Sequence, residues 1–465
     1  MKSMQSWATE ELKYAALPDK RLNRRLIKIV ENLAQQPHAS VPQASGDWAS
    51  TKATYNLWKS NKIKFEDIID PHQKQTIQRA SKEKIILAIQ DTSDFNFTHH
   101  QAKTWENGFG RTCSQKYVRG LKVHSIMAST TRGVPLGILD QQIWTRKPET
   151  KKKKKNQTAK ASILNKESKR WLTGLVATEL AIPLTTTVVT VTDREGDIYE
   201  LFALKRESNS ELLIRAKHNR RINHELKLVK EAISQTPSSG QLAISVPRKD
   251  DQPSREANLT ISYASFTFPV PSNRPKNSNR EPIVLNVISA TEDNPPTGAT
   301  PINWLLLTTL AVANFCEAVR CIRWYTYRWL IERYHYVLKS GCRIEHLQLE
   351  TAERIKNALA TYAIVAWRLL WLTYQARENP ELPCDTILET HEWQSLYFHF
   401  HGFPLPQKEP PSINQAITWI ARLGGFLARR HDGFPGVKTL WRGLQRLHDI
   451  ASTWKLLHSS HHLNL

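Results

Sequence analysis

Ile85-Ile86-Leu87-Ala88-Ile89-Gln90-Asp91 and Val188-Val189-Thr190-Val191-Thr192-Asp193 are the stretches on which the fold turns. Each is a short apolar run closed by an aspartate, the pattern of a strand buried on both faces. Polar, turn-like residues follow each one, Thr92-Ser93-Asp94 and Arg194-Glu195-Gly196-Asp197. In open α/β sheets, side chains at the carboxyl ends of strands leave the sheet into a crevice where ligands gather. A carboxylate there destabilises the fold unless it is paired or coordinates a cation. A single such aspartate serves as well to cap the next helix; two of them point to a site.

A third acid joins them from farther along the chain. Between Ala313 and Lys339 there is no Pro or Gly, and one long helix is predicted. At about 100° per residue, Arg328, Glu332 and Lys339 fall at about −60°, −20° and −40° from Tyr325. A phenol, a guanidinium, a carboxylate and an ammonium therefore share one stripe. Alone, such a row fits a solvated salt-bridge face. With Asp91 and Asp193 added, Glu332 completes a set of hard oxygen donors suited to Mg²⁺ or Mn²⁺.

The chain has 465 residues, with 65 Lys+Arg against 43 Asp+Glu and a formal net charge of +22. That length allows several domains, and that charge is a footprint for nucleic acid or an anionic membrane. The best candidate span, about Ala358 to Tyr374, carries Arg368 near its centre and is expected to be a buried helix, so no membrane partner is expected. Met1 to Glu10 lacks the apolar core of a secretory signal. Cys113, Cys316, Cys321, Cys342 and Cys384 are scattered without C-x-x-C spacing, which fits reduced cytoplasmic thiols rather than a disulfide frame or zinc site.

Three regions follow from the patterning. Residues 1–75 are expected to be a helical DNA-binding unit, in which Leu22, Leu26, Ile29, Val30 and Leu33 share one face while Arg21, Arg24, Arg25 and Lys28 take the other. A second helix is expected from Asp47, carrying Trp48, Tyr55 and Trp58. Residues 76–343 have the order of an α/β, ribonuclease-H-like core: the Asp91 strand, two strands joined around Arg132-Gly133, a helix, the Asp193 strand, and further elements. Pro/Ser/Asn/Arg-rich segments between strand-like runs mark 218–311 as a β-rich insertion. Residues 344–465 are mostly helical, with an apolar stripe of Trp441, Leu444, Leu447, Trp454 and Leu457 that fits core packing or a subunit interface. Lys151 to Lys155 form a run of lysines expected to touch phosphate without reading sequence.

Asp91, Asp193 and Glu332, with Tyr325-x₂-Arg328-x₃-Glu332-x₆-Lys339, resemble the DDE triad and YREK signature of bacterial cut-and-paste insertion-sequence transposases. The subgroup the chain resembles is that of the composite kanamycin-resistance transposon. Thr192-Asp193-Arg194-Glu195-Gly196-Asp197-Ile198, Arg215-Ala216-Lys217-His218, Pro301 to Thr308 and Ile420 to Phe426 carry the likeness over nearly the whole chain. The resemblance implies that Asp91, Asp193 and Glu332 hold two divalent ions, Mg²⁺ or Mn²⁺. It implies that Tyr325, Arg328 and Lys339 grip phosphates, that Trp304 stacks on a flipped base, and that Arg215 touches DNA. It implies end nicking, hairpin formation and strand transfer by a homodimer on terminal inverted repeats and target DNA, in the cytoplasm at the bacterial nucleoid, with residues 344–465 dimerising. The lysine run departs from the family, which is acidic there. A DNA-binding derivative without catalysis, and a nuclease or junction resolvase on the same fold, are the competing expectations.

Overall fold

A computed structural model describes residues 6–100, 105–112, 117–146, 163, 166–246, 254–271, 281–403 and 409–460. The lysine run Lys151 to Lys155 and Cys113 lie outside the described residues.

Five helices open the chain: α1 (Trp7–Glu11), α2 (Lys20–Gln35), α3 (Val41–Ser45), α4 (Trp48–Lys59) and α5 (Phe65–Ala80). Two start on aspartate caps, Asp19 accepting from the Arg21 amide at 2.7 Å and Asp47 from the Ser50 amide at 2.8 Å. α2 buries Leu26, Ile29, Val30 and Leu33 and leaves Arg21, Arg24, Arg25 and Lys28 exposed, as its periodicity demands. α5 continues through position 75 and ties the bundle to the sheet through a buried trio. The Ile138 amide donates to His72 Nε2 at 3.0 Å, which leaves the His72 proton on Nδ1, 2.6 Å from Glu11 Oε1. Arg79 adds a second contact to Glu11 at 2.7 Å.

The core is one mixed sheet of ten strands. β1 (Ile85–Asn96), β2 (Gly110–Arg111), β3 (Arg119–Thr130) and β4 (Pro135–Trp144) come first; Gly133, at φ +87°, makes the β3–β4 turn. Helix α6 (Lys169–Ala181) crosses over to β5 (Thr187–Thr192), and α7 (Tyr199–Ala203) leads to β6 (Ser210–Arg215). β1, β5 and β6 are parallel neighbours and β3 is antiparallel to β1, giving a ribonuclease-H-like order. The insertion supplies a short helix α8 (Val229–Ser234), then β7 (Gly240–Val246), β8 (Arg255–Phe268) and β9 (Ile283–Glu292). Strand β10 (Asn303–Thr308) pairs with β9 on one side and β6 on the other, so the insertion prolongs the core sheet.

The expected single helix over 313–339 is instead segmented. α9 (Phe315–Thr326) and α10 (Trp329–Tyr336) are separated by a turn in which Tyr327, Arg328 and Leu330 bond to carbonyls three residues back. A π turn, Val337–Gly341, then closes on the Cys342 amide–Val337 carbonyl bond at 2.7 Å. Neither a tightened nor a widened turn needs Gly or Pro, so nothing in the run announces them.

α11 (Ala352–Glu378) is a largely buried helix packed against α2, α4, α5 and β4. Arg368 lies within it, its guanidinium between Trp7 and Trp371 and donating to the Ile387 carbonyl at 2.8 Å. No helix among the described residues is long and apolar enough to cross a membrane. α12 (Thr390–His401), α13 (Ile413–Leu423) and α14 (Val437–Ser460) complete the helical end. Trp441, Leu447 and Trp454 pack inward, whereas Leu457 is exposed. The architecture is thus a ribonuclease-H-like core between two helical regions.

A candidate active site where the parallel strands part

β1 and β5 run in parallel register up to Gln90 opposite Thr192, so Asp91 and Asp193 are the next residue on each. Their backbones then separate. β5 ends, and Asp193 caps a 3₁₀ turn (Arg194–Gly196) by accepting from the Glu195 amide at 2.8 Å. β1 does not end at Asp91 as its polar continuation suggests. It runs on to Asn96, held by β3 alone, with Asp91 opposite Ser125. The pairing with β3 is long-range and overrides the local turn chemistry of Thr92-Ser93-Asp94.

The two carboxylates feel each other. Asp193 is pushed up by burial and by the charge of Asp91, against the pull of the Glu195 amide and Arg328. Burial would raise Asp91 too, but His335 and Arg328 hold it below the usual carboxylate range. His335 Nδ1 stands 3.6 Å from Asp91 Oδ2, and its Nε2 is 3.1 Å from the Ser125 hydroxyl.

Glu332, in the first turn of α10, is exposed and pairs with Arg328 at 2.7 Å. The guanidinium of Arg328 is raised despite its burial by Tyr325, Glu332 and Asp91. Arg328 is therefore the positive charge around which all three acids are arranged. Among the described residues no group of three or more Asp, Glu, His or Cys stands close enough to hold a metal. The donor chemistry nevertheless fits a hard divalent ion. Asp91 and Asp193 are carboxylates whose mutual repulsion a cation would relieve, while Glu332 is held by Arg328.

Tyr325 is 2 % exposed, and its buried hydroxyl faces the Arg215 guanidinium as a loosely aligned hydrogen-bond partner, with Arg328 also near enough to act on its charge. Burial raises its phenol. Arg215, at the end of β6, donates to the Asn303 carbonyl at 3.0 Å, and burial lowers its guanidinium. Trp304 is 5 % exposed, with Tyr325 at 5.0 Å edge-to-face and Trp329 at 5.9 Å. Its ring supports Tyr325 from below instead of standing open as a platform. Lys339, on the π turn, lies 5.2 Å over the Phe95 ring at the far end of β1. Arg21, Arg24, Arg25 and Lys28 remain on the N-terminal bundle, on the exposed face of α2.

Several neighbours stand outside the expected site residues. Arg170 of α6 donates to the Thr92 hydroxyl at 2.8 Å and to Glu195 at 2.6 Å, bridging the two strand ends. His124 contacts Thr92 at 2.9 Å and Gln90 at 3.2 Å, and burial keeps it neutral, lowering it to about 3. Asp197 is fully buried, accepting from the Lys217 amide at 2.7 Å, the His218 amide at 3.0 Å and the Arg220 guanidinium at 2.5 Å. Asp197 is signalled by its place in the Thr192 to Ile198 motif, as a capping or supporting neighbour of the acids, and His335 by its position one helical turn after Glu332; Arg170 and His124 carry no such signal.

Residues 82–368 match the Transposase DDE domain family, residues 4–63 match Transposase DNA-binding, and residues 364–459 match the Transposase Tn5 dimerisation domain. The chain belongs to the DDE-domain transposases, with the DNA-binding and dimerisation domains of the Tn5 type.

Proposed function

We propose that this transposase is catalytically competent and performs cut-and-paste transposition by metal-assisted phosphoryl transfer at specific element ends. Asp91, Asp193 and Glu332 are the residues that would hold the ions. The observation that carries the reading is the placement of Asp91 and Asp193 one step past the last paired residues of two parallel strands, with Glu332 linked to them through Arg328. Two Mg²⁺ or Mn²⁺ ions, when bound there, supply charge stabilisation for the attacking and leaving oxygens of an in-line displacement.

The remaining groups position DNA. Arg215 and Arg328 both act on the Tyr325 phenol, and this phenol offers a donor to a phosphate oxygen. Lys339 adds a point charge from the π turn. Trp304 fixes the Tyr325 ring, and it takes up a flipped base only after its cover moves. In the reaction a water oxygen bonds to phosphorus as the bond to the 3′ oxygen breaks, releasing a 3′-OH at the element end. That 3′-OH attacks the opposite strand to give a hairpin, a second water reopens it, and the freed 3′-OH joins target DNA. No protein nucleophile is consumed.

In this scheme residues 1–75 read the terminal inverted repeats, with Arg21, Arg24, Arg25 and Lys28 on the backbone. Residues 76–343 carry the chemistry, and residues 344–465 join two copies in the synaptic complex. The test is cleavage of DNA bearing the element's own ends, in Mg²⁺, by wild type and by Glu332→Gln. Nicks and hairpins from the wild type alone are expected. Retardation without cutting by both proteins would leave a DNA-binding derivative, and cutting without joining would leave a nuclease.

A further inference from the structure

A cleft of about 1000 Å³ opens at the amino end of β1, between the β3–β4 turn and the side of α9 from Phe315 to Trp324. The carboxylate site lies at the other end of the strand: from Ile85 to Asp91 the extended chain covers about 20 Å at ~3.3 Å per residue.

Lys82, Lys84, Arg320 and Arg323 line the cleft, all exposed, and none has an ion-pair partner among the described residues. Of the two acids in the lining, Glu378 is already taken by Arg132 at 2.8 Å. The aromatic residues of the lining are engaged elsewhere. Trp324 is 6 % exposed and covered by Arg320 at 5.4 Å, the Tyr327 ring packs on Gly133, and the Phe315 ring packs on Gly240. A ligand entering the cleft therefore meets cationic heads and no free aromatic face. That selects phosphates over bases.

We propose that this cleft grips the phosphate backbone of duplex DNA, without regard to sequence, at a place separate from the reacting phosphodiester. About 20 Å is some six base pairs at ~3.4 Å per step, so one duplex passing both places would be held on either side of α9. The inference rests on the chain handling DNA and not on the carboxylate chemistry.

The test uses a thiol already in place. Cys316 lines the cleft and is exposed, whereas Cys321, Cys342 and Cys384 are buried. In full-length Cys113→Ser protein without divalent ions, the rate of Cys316 alkylation by N-ethylmaleimide is measured with and without a random-sequence duplex. Saturating duplex should slow labelling at least tenfold, and dATP should not. The double variant Arg320→Ala/Arg323→Ala should lose the protection and lower the slope of log affinity against log salt by about two. Adding Glu332→Gln should leave the protection intact, so loss of catalysis and loss of this site are read separately. Unchanged labelling under saturating duplex, protection that survives the double arginine variant, or equal protection by dATP would each overturn the proposal; the last would make the cleft a nucleotide pocket.

Discussion

Arg328 and Glu332 are joined by a 2.7 Å ion pair one helical turn apart, and the same guanidinium acts on Asp91 and Asp193. An internal cation thus offsets the negative charge of all three acids.

Removing that cation should sharpen the appetite of the site for metal. Arg328→Ala leaves three carboxylates without their shared partner, so the DNA-free variant should bind Mg²⁺ roughly tenfold more tightly than wild type, about 1.4 kcal/mol. The check is the rise in Tm with Mg²⁺ concentration. Equal rises in both proteins would show that Arg328 does not compete with the ion.

Tyr325→Phe should separate stability from DNA binding. The hydroxyl it removes is buried with only the loosely aligned Arg215 guanidinium beside it, and a buried polar group left poorly satisfied costs about 1–3 kcal/mol. The variant should be as stable as wild type or more so by denaturant titration, while its affinity for element ends falls. Loss of stability comparable to that cost would mean the phenol has a partner in solution.

Asp197→Asn tests the turn that follows Asp193. The carboxylate is inaccessible and binds Arg220 and the amides of Lys217 and His218. Breaking a buried pair of this kind costs about 3–5 kcal/mol, which should appear as a lower unfolding free energy with end cleavage weakened in parallel. Cleavage that falls while stability holds would place Asp197 in the chemistry.

The Glu11–His72 contact predicts how the bundle comes off the sheet in acid. Burial would raise Glu11, but His72 and Arg79 bring it from 4.5 to about 2. The unfolded chain therefore binds the proton first: the contribution is complete above about pH 4.5 and disappears as pH falls toward 2. Its size is about 3 kcal/mol. His72, lowered by its own burial, acts in the same sense from its ordinary value near 6.5 downward. Glu11→Gln should flatten unfolding free energy against pH below 4.5, and an unchanged curve would put the acid sensitivity elsewhere.

Much of this is legible in the sequence. The runs ending at Asp91 and Asp193 declare buried strands because their apolar residues do not alternate, and α2 declares its buried face by its period. Other features depend on contacts between distant residues. β1 passes Asp91 because β3 is there to receive it, and β10 chooses β6 as a neighbour through a pairing that no local pattern encodes. The turn at Tyr327 and the π turn around Lys339 are changes of hydrogen-bond partner in helix-forming sequence. Arg170 reaches Thr92 and Glu195 from a crossover helix, which places it at the site by topology alone.

The pairing of β10 with β6, Leu306 beside Arg215 and Thr308 beside Leu213, also bears on how the protein can be altered. A segment that merely bulged from a surface loop could be trimmed or exchanged as a cassette. Here, excision of 218–311 would strip β6 of its neighbour and leave a raw hydrogen-bonding edge two strands from Asp91. Chimaeras that swap this segment between relatives should therefore keep their own β10, and those that do not should aggregate before they lose any DNA specificity.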